Sequence, residues 1–292
     1  MPGAELERSQ AHCRRVARRS ARNFYYAFLP LSRQQHDAIC AVYAFARYAD
    51  DLSDEVGRDD CREALAAWRG QLESTLSSHG GDQLILPALH DAVGRYQIPP
   101  RYLFELLEGI ATDLDTPRFQ TFEELYRYCY LVASTIGLVC LHIFGFQSNV
   151  ALEFGEKLGV AFQLTNILRD LREDAARGRL YLPGQDLARF GVDPADLECG
   201  RLDRVRELLR FQADRAETYY QEAAPLLNLV EARSRASLWI MTAIYHRILK
   251  RVRDSEYDVF TRRAALSSPE KFAILLRGLR LHLTGGTAPF PA

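Results

Sequence analysis

From Tyr128 to Leu152 the chain carries no Asp, Glu, Lys or Arg. A helix that is apolar on every side has two stable homes, a lipid bilayer or the centre of a large helical bundle. Residues 128–146 would nearly cross a hydrocarbon layer of about 30 Å. The run is nevertheless interrupted by Ser134, Thr135, Gly137, His142 and Gly145, and Gln147-Ser148-Asn149 reads as a turn. The rest of the chain is amphipathic and offers no second span. The spacing therefore predicts a central bundle helix, which the other helices must surround. With 292 residues, 48% of them hydrophobic, the chain can build that enclosure.

Period-2 alternation is nowhere sustained, and Ala, Leu, Arg and Glu dominate, so nearly every segment reads as helix. Helices are expected at about 5–20, 32–55, 60–78, 82–96, 100–114, 121–146, 150–176, 201–224, 231–254 and 268–283. Pro30 with Ser32, Gly57, Gly80-Gly81, Pro99-Pro100, Pro117, Gly178, Pro183-Gly184 and Pro269 mark the breaks. Thr121 with Glu124 makes a capping box. No linker or repeat divides the chain. The expectation is one all-α domain over residues 1–284, with the 121–176 hairpin at its centre and a loosely held tail over 285–292. Cys13, Cys40, Cys61, Cys129, Cys140 and Cys199 show no CxxC or metal-ligand spacing and read as free thiols. The start is Arg-rich without an apolar h-region, so a cytoplasmic protein is expected. A net charge of −1 gives no support for nucleic acid as the main partner.

Two segments carry carboxylates one helical turn apart: Asp50-Asp51-Leu52-Ser53-Asp54 and Asn166-Ile167-Leu168-Arg169-Asp170-Leu171-Arg172-Glu173-Asp174. Residues four apart share a helix face, so Asp50 and Asp54 form one acidic strip, and Asn166, Asp170 and Asp174 another. Like charges at this spacing cost about 0.2–0.5 kcal/mol per pair. Gly57 and Gly178 follow closely, placing both strips near the negative helix end, where cations are preferred. A divalent cation between the strips accounts for both. Oxygen donors suit Mg²⁺ or Mn²⁺ shared with phosphate, and the absence of nearby Cys and His argues against zinc. No Glu-x-x-His pair supports a di-iron bundle. Arg47, Arg169, Arg172, Arg177 and Arg179 surround the strips and suit a metal-bridged diphosphate. A solvated face laced with ion pairs is the plainer reading, but both strips extend mainly apolar helices. Phe24, Tyr25, Tyr26, Phe28, Tyr43, Phe45, Tyr48, Tyr126, Tyr128 and Tyr130 cluster by sequence near these helices. Such aromatics are commonly core, yet beside a diphosphate their faces can stabilise a carbocation. Ala133, Ser134 and Gly137 leave room for a long apolar chain.

The segments Asn23–Phe28 and Tyr43–Asp54 resemble the opening of squalene and phytoene synthases. Gln163–Asp174, closed by Arg177-Gly178-Arg179-Leu180-Tyr181-Leu182-Pro183, is similar to that family's second signature. Tyr128–Ser134 resembles its central-helix motif and Tyr257-Asp258-Val259-Phe260 its C-terminal one, so the likeness runs in order over about residues 20–275. The resemblance implies a terpenoid-synthase helical bundle around a central cavity, and head-to-head coupling of two isoprenyl diphosphates. It implies that Asp50, Asp54, Asn166, Asp170 and Asp174 hold Mg²⁺ or Mn²⁺ against the diphosphates. Ser20, Arg22, Asn23, Arg47, Arg169 and Arg179 would contact phosphate oxygens. Phe24, Tyr43, Gln163 and Tyr245 would line the substrate site, Arg263 would match a further family position, and Tyr130 would sit beside the reacting carbons. The Ser20-Ala21-Arg22-Asn23 opening departs from the His or Ser-Lys-Ser opening of many relatives.

Under this resemblance, one allylic diphosphate leaves and the second substrate's double bond attacks the resulting cation. Proton loss then closes a cyclopropane. Val132-Ala133-Ser134 and the Gly178–Pro183 segment lean towards a squalene or presqualene diphosphate synthase acting on farnesyl diphosphate. That reading admits NADPH as a hydride source; phytoene synthase acting on geranylgeranyl diphosphate, or a dehydrosqualene or hydroxysqualene-type product, is the alternative. The oily products suggest peripheral contact at the inner membrane face, while nothing in the sequence sets an oligomeric state. His36-Asp37 and His90-Asp91 would also suit a metal phosphohydrolase, and the helices alone a scaffold, but both readings leave the acidic strips unexplained.

Overall fold

The structure is a computed structural model that describes residues 2–21, 25–54, 58–77, 83–115, 118–284 and 290–291. Among these residues helices account for all regular structure, and the only extended pairings are isolated bridges between Arg118 and Leu180 and between Phe146 and Val230. In chain order the helices are α1 (Pro2–Ser20), α2 (Tyr25–Phe28), α3 (Arg33–Asp54), α4 (Arg58–Ser77), α5 (Leu86–Tyr96) and α6 (Arg101–Thr112), the last running into a 3₁₀ turn at Asp113–Asp115. A central rod follows, formed by α7 (Phe122–Cys129), a π-helical turn (Tyr130–Ser134) and α8 (Thr135–Phe144). Beyond it lie α9 (Val150–Ala176), α10 (Gly184–Phe190), α11 (Pro194–Glu198), α12 (Leu202–Glu222), α13 (Leu226–Leu229), α14 (Ala232–Asp254) and α15 (Ser268–Thr284). Each long helix anticipated from the sequence forms; the short α2, α10, α11 and α13 were not anticipated.

The rod, Phe122–Phe144, is the one helix among the described residues long and apolar enough to span a membrane, and 61% of its most apolar window is buried in the molecule. It is the bundle centre that its composition predicts. The π turn packs against α6, α7 and α9, while α9 also receives α8, α12 and α14. Thr121 starts the rod by accepting the Glu124 amide at 3.3 Å, and the Glu124 carboxylate accepts the Gln120 amide at 2.6 Å. This is a close variant of the expected capping box. Gly178, at φ +74°, closes α9 in the left-handed conformation that suits glycine.

Close backbone approach is what lets the rod sit so deep. A Cβ on Gly159 would fall 2.4 Å from Ser134 Cα, and one on Gly109 would fall 2.8 Å from both Leu131 Cβ and Val132 Cγ1. The π turn is thus gripped from α9 and from α6 at positions with no room for a methyl group. Ser134 completes the grip by donating its hydroxyl to the Glu156 carbonyl at 2.7 Å. Gly159→Ala therefore has to push two backbones apart, and we expect a loss of about 1–3 kcal/mol. A lower urea midpoint with an unchanged slope is the measurement that checks it; an unchanged midpoint would refute the tight approach.

Candidate active site

A cavity of about 380 Å³ lies between α3, α6, the rod, α9 and α14. On α3 its wall is Ile39, Val42, Tyr43, Ala46 and Asp50, and on α9 it is Gly155, Leu158, Gly159, Phe162, Gln163 and Asn166. Both sets step by three and four residues, so each is one helix face. Each face is mainly apolar or small for about eight residues, roughly 11 Å, and then turns polar at Asp50 on α3 and at Gln163 and Asn166 on α9. In register, the next positions are Asp54 on α3 and Asp170 and Asp174 on α9. The rod contributes Tyr128, Val132, Ala133, Ile136, Gly137, Cys140, Leu141 and Phe144. Small side chains there leave the volume open.

Asp50, Asp113, Gln163 and Asn166 bring polar atoms to this otherwise greasy chamber, together with Tyr43, Tyr128 and Tyr245. Asp113 was not anticipated from the sequence. It ends α6, and its carboxylate accepts the Tyr128 hydroxyl at 2.9 and 3.0 Å and the Tyr181 hydroxyl at 2.9 Å. The Tyr128 and Tyr181 rings stack at 5.1 Å. Asp113 has no acidic partner one turn away on its own helix, so periodicity could not flag it. Its link to Tyr181 spans 68 residues.

The acids are balanced in different ways. Arg47 pairs with Asp51, one turn on. The Asp170 carboxylate accepts Arg169 Nε at 2.8 Å and Arg263 Nε at 2.7 Å. Arg263 reaches it because Arg172 donates to the Phe260 carbonyl at 2.6 Å. Asp258 folds the adjacent turn by accepting the Phe260 and Thr261 amides at 3.1 and 3.0 Å. Thus the 257–260 motif acts as a bracket for Arg263. Asp174 is half-buried; burial first, then the charges of Asp170 and Asp113, push its carboxyl up to about 7 against the pull of Arg179 and Arg177. Burial likewise pushes Tyr43 up to about 12, so its hydroxyl stays protonated. Tyr245 is buried, stacks on Phe162 at 4.5 Å and is hydrogen-bonded to Arg169 and Asn166.

Several expected positions fall elsewhere. Tyr130 does not line the cavity: its hydroxyl donates to Glu105 at 2.8 Å and Arg127 lies 5.5 Å over its ring. Two residues along a helix turn a side chain by about 200°, so Tyr128 faces inward and Tyr130 away. Ser20 is exposed at the end of α1. Arg22, Asn23 and Phe24 lie outside the described residues, as does the side chain of Asp54. Arg179 is half-buried, and its amide donates to the Asp174 carbonyl at 2.9 Å.

Among the described residues, no three His, Cys, Asp or Glu side chains are already gathered into a metal-binding group. Asp170 is engaged by arginine, Asp113 by tyrosine hydroxyls, and Asp174 favours its protonated form. The donors nevertheless suit a hard divalent ion. They are all oxygens, Asn166 Oδ1 is buried with no hydrogen-bond partner, and Asp174 resists ionisation until positive charge arrives. The cavity thiol offers no nucleophile, since burial pushes Cys140 up to about 12.

A helical bundle with an apolar chamber and an acid-and-arginine end is the architecture of the all-α isoprenoid synthases. The squalene/phytoene synthase family model matches residues 17–270, and the chain belongs to that family as a prenyltransferase. It is 38% identical to phytoene synthase of Mycobacterium tuberculosis (strain ATCC 25618 / H37Rv) over 99% of this chain and 97% of that protein. It is 34% identical to 15-cis-phytoene synthase of Synechococcus elongatus (strain ATCC 33912 / PCC 7942 / FACHB-805) over 93% of this chain and 92% of that one. A ligand-bound dehydrosqualene synthase crystal structure superposes with a TM-score of 0.89 at 30% identity, covering 98% of this chain and 100% of that one. Squalene synthase HpnC from Alicyclobacillus acidocaldarius gives 0.81 at 29% identity, covering 87% of this chain and 97% of that one. The shared reaction is head-to-head condensation of prenyl diphosphates.

The raised carboxyl of Asp174 sets a pH dependence. Its folded pKa of about 7 exceeds the ordinary 3.8, so the folded chain binds more protons than the unfolded one between those values. Stability contributed by this group is full at low pH and is lost as pH rises from about 4 to 7. In metal-free buffer Asp174→Asn should melt higher than the parent at pH 8, and that advantage should shrink steadily towards pH 4. Equal melting curves at pH 8 would refute the burial of this charge.

Proposed function

We propose that the chain joins two geranylgeranyl diphosphates head to head, through a cyclopropyl diphosphate, to give phytoene. The cavity carries this reading: two helix faces run about 11 Å as mainly apolar wall and finish at Asp50 on α3 and at Gln163 and Asn166 on α9. The phytoene synthases that match nearly the whole chain supply the C20 choice. In this reading Asp50, Asp54, Asn166, Asp170 and Asp174 hold Mg²⁺ or Mn²⁺. The ion, when bound, offsets diphosphate charge and assists its departure.

The chain's own residues do the rest. Arg47, Arg169, Arg179 and Arg263 exchange carboxylate partners for phosphate oxygens, joined by Ser20, Arg22 and Asn23. The apolar wall excludes water, and at about 0.8 kcal/mol per buried CH₂-sized unit it holds the reacting ends together. Tyr43, Tyr128, Phe162 and Tyr245 turn aromatic surface towards the allylic cation, worth about 2 kcal/mol or more in a dry site. The hydroxyls of Tyr43, Tyr128 and Tyr245 stay protonated, so these rings offer the cation no phenolate. Proton loss to the released diphosphate closes the cyclopropane and, after the second ionisation, yields the triene.

A C15 reading is favoured by the dehydrosqualene synthase superposition. It divides into dehydrosqualene, by proton loss, and squalene, which alone requires hydride from NADPH. Purified enzyme given farnesyl or geranylgeranyl diphosphate, with and without NADPH, separates these by mass spectrometry of the product. A C40 hydrocarbon indifferent to NADPH is expected; an NADPH-dependent C30 product would overturn the proposal in favour of squalene. Asp50→Ala and Asp170→Ala should each lower turnover at least about a hundredfold with unchanged helicity. Chelation should abolish activity, and added Mg²⁺ should restore it; normal turnover after chelation would refute the metal assignment.

A further inference from the structure

We propose that the outer face of α14 and α15 docks on an acidic phospholipid bilayer. Five large apolar side chains are strongly exposed among the described residues, and three of them, Leu29, Phe272 and Leu276, belong to α15 or to the end of α2, which packs on it. Phe272 and Leu276 stand one turn apart and are 53% and 52% exposed. The opposite side of α15 is fixed, because Leu275 is buried and a Cβ on Gly278 would fall 2.3 Å from Ile240 Cγ1. The two exposed side chains are therefore held outward by the packing behind them.

A groove of about 540 Å³ runs between α14 and α15. Its apolar lining includes Trp239, Ile274 and Phe290, and Arg247, Lys250 and Arg277 also border it. None of these three cations has a carboxylate partner among the described residues; Arg277 lies 5.3 Å over the Trp239 ring. The other charged residues of the groove are compensated. Glu270 accepts from Arg251 at 2.5 Å and from the Ser267 hydroxyl at 2.8 Å, while His246 faces Glu217 at 3.1 Å. The chain as a whole is nearly neutral, so uncompensated positive charge beside exposed aromatic and aliphatic side chains is a local property of this face.

That combination matches an anionic bilayer, where basic side chains meet headgroups and apolar ones enter the acyl boundary. A second copy fits poorly, because a two-fold contact would bring the same cations together. The face also lies next to the reaction chamber. Phe28 of α2 lines the cavity and Leu29 follows it at the surface, while α14 shows Leu238 and Met241 to the cavity and Trp239 to the groove. A prenyl chain would then pass between lipid and cavity across a single layer of helix.

The test needs no substrate and so stands apart from the product assigned above. The full chain is sedimented with phosphatidylcholine vesicles and with vesicles containing phosphatidylglycerol. Binding to the acidic vesicles alone, weakening with salt, is expected. Arg247→Gln with Lys250→Gln should weaken it by about fivefold per charge, and Phe272→Glu with Leu276→Glu at least about tenfold, each with parental melting temperature and parental turnover on detergent-dispersed substrate. Equal binding to neutral vesicles, or variants that bind like the parent, would overturn the proposal. So would a dimer that the Phe272→Glu, Leu276→Glu variant dissociates without any vesicle binding. Stabilisation by inorganic phosphate in the absence of vesicle binding would point to a free anion instead and would equally overturn it.

Discussion

A helix without a polar side has to be surrounded, and the rest of this molecule is arranged around that requirement. The rod places uncharged residues at the bundle centre, and neighbouring helices approach it through glycines on α6 and α9. This packing is tight where Gly109 and Gly159 meet the π turn, while Ala133 of that turn and Gly137 and Cys140 of α8 border open volume. The same rod is thus both the main packing element and one wall of the cavity. Helix packing at native density leaves few such voids, so a chamber of this size is maintained by stiff walls rather than by poor packing.

Charge is managed at the chamber's polar end by reassignment. Asp51, Asp113 and Asp170 are each engaged, by Arg47, by two tyrosine hydroxyls and by two arginines respectively. Asp174 is relieved by partial protonation near neutral pH. These contacts tie up the groups that a diphosphate would recruit. Ligand entry is therefore an exchange of ion pairs, and its free energy is a difference between two compensated arrangements of charge. Such a site tolerates a concentration of acids that would otherwise strain the helix ends.

The architecture was legible because helix periodicity is local. The apolar faces of α3 and α9, their breaks and the acids that continue them can all be read from residues three and four apart. What was missed depends on contacts that sequence spacing does not encode. Asp113 stands alone on α6 and acquires its role from Tyr128 and Tyr181. Tyr130 sits in the same motif as Tyr128, and only the azimuth of the rod decides which ring faces inward. Arg263 reaches Asp170 through a turn organised by Asp258, on a segment with no helical period of its own. The membrane-like hydropathy of the rod was read as a core helix, and its burial agrees. The C15 preference drawn from Val132-Ala133-Ser134 and Gly178–Pro183 rested on short motif variants, whereas chain length depends on side chains meeting across helices.

The π turn carries a longer reach than its five residues suggest. In an unbroken α-helix Tyr128 and Phe144, 16 positions apart, would point about 160° away from each other, yet both border the cavity. A wider turn inserts roughly one extra residue at constant height and rotates everything after it back by about 100°. That surplus residue is a phase correction. Deleting it would leave every side chain of α8 intact in sequence while swinging Gly137 and Cys140 out of the chamber.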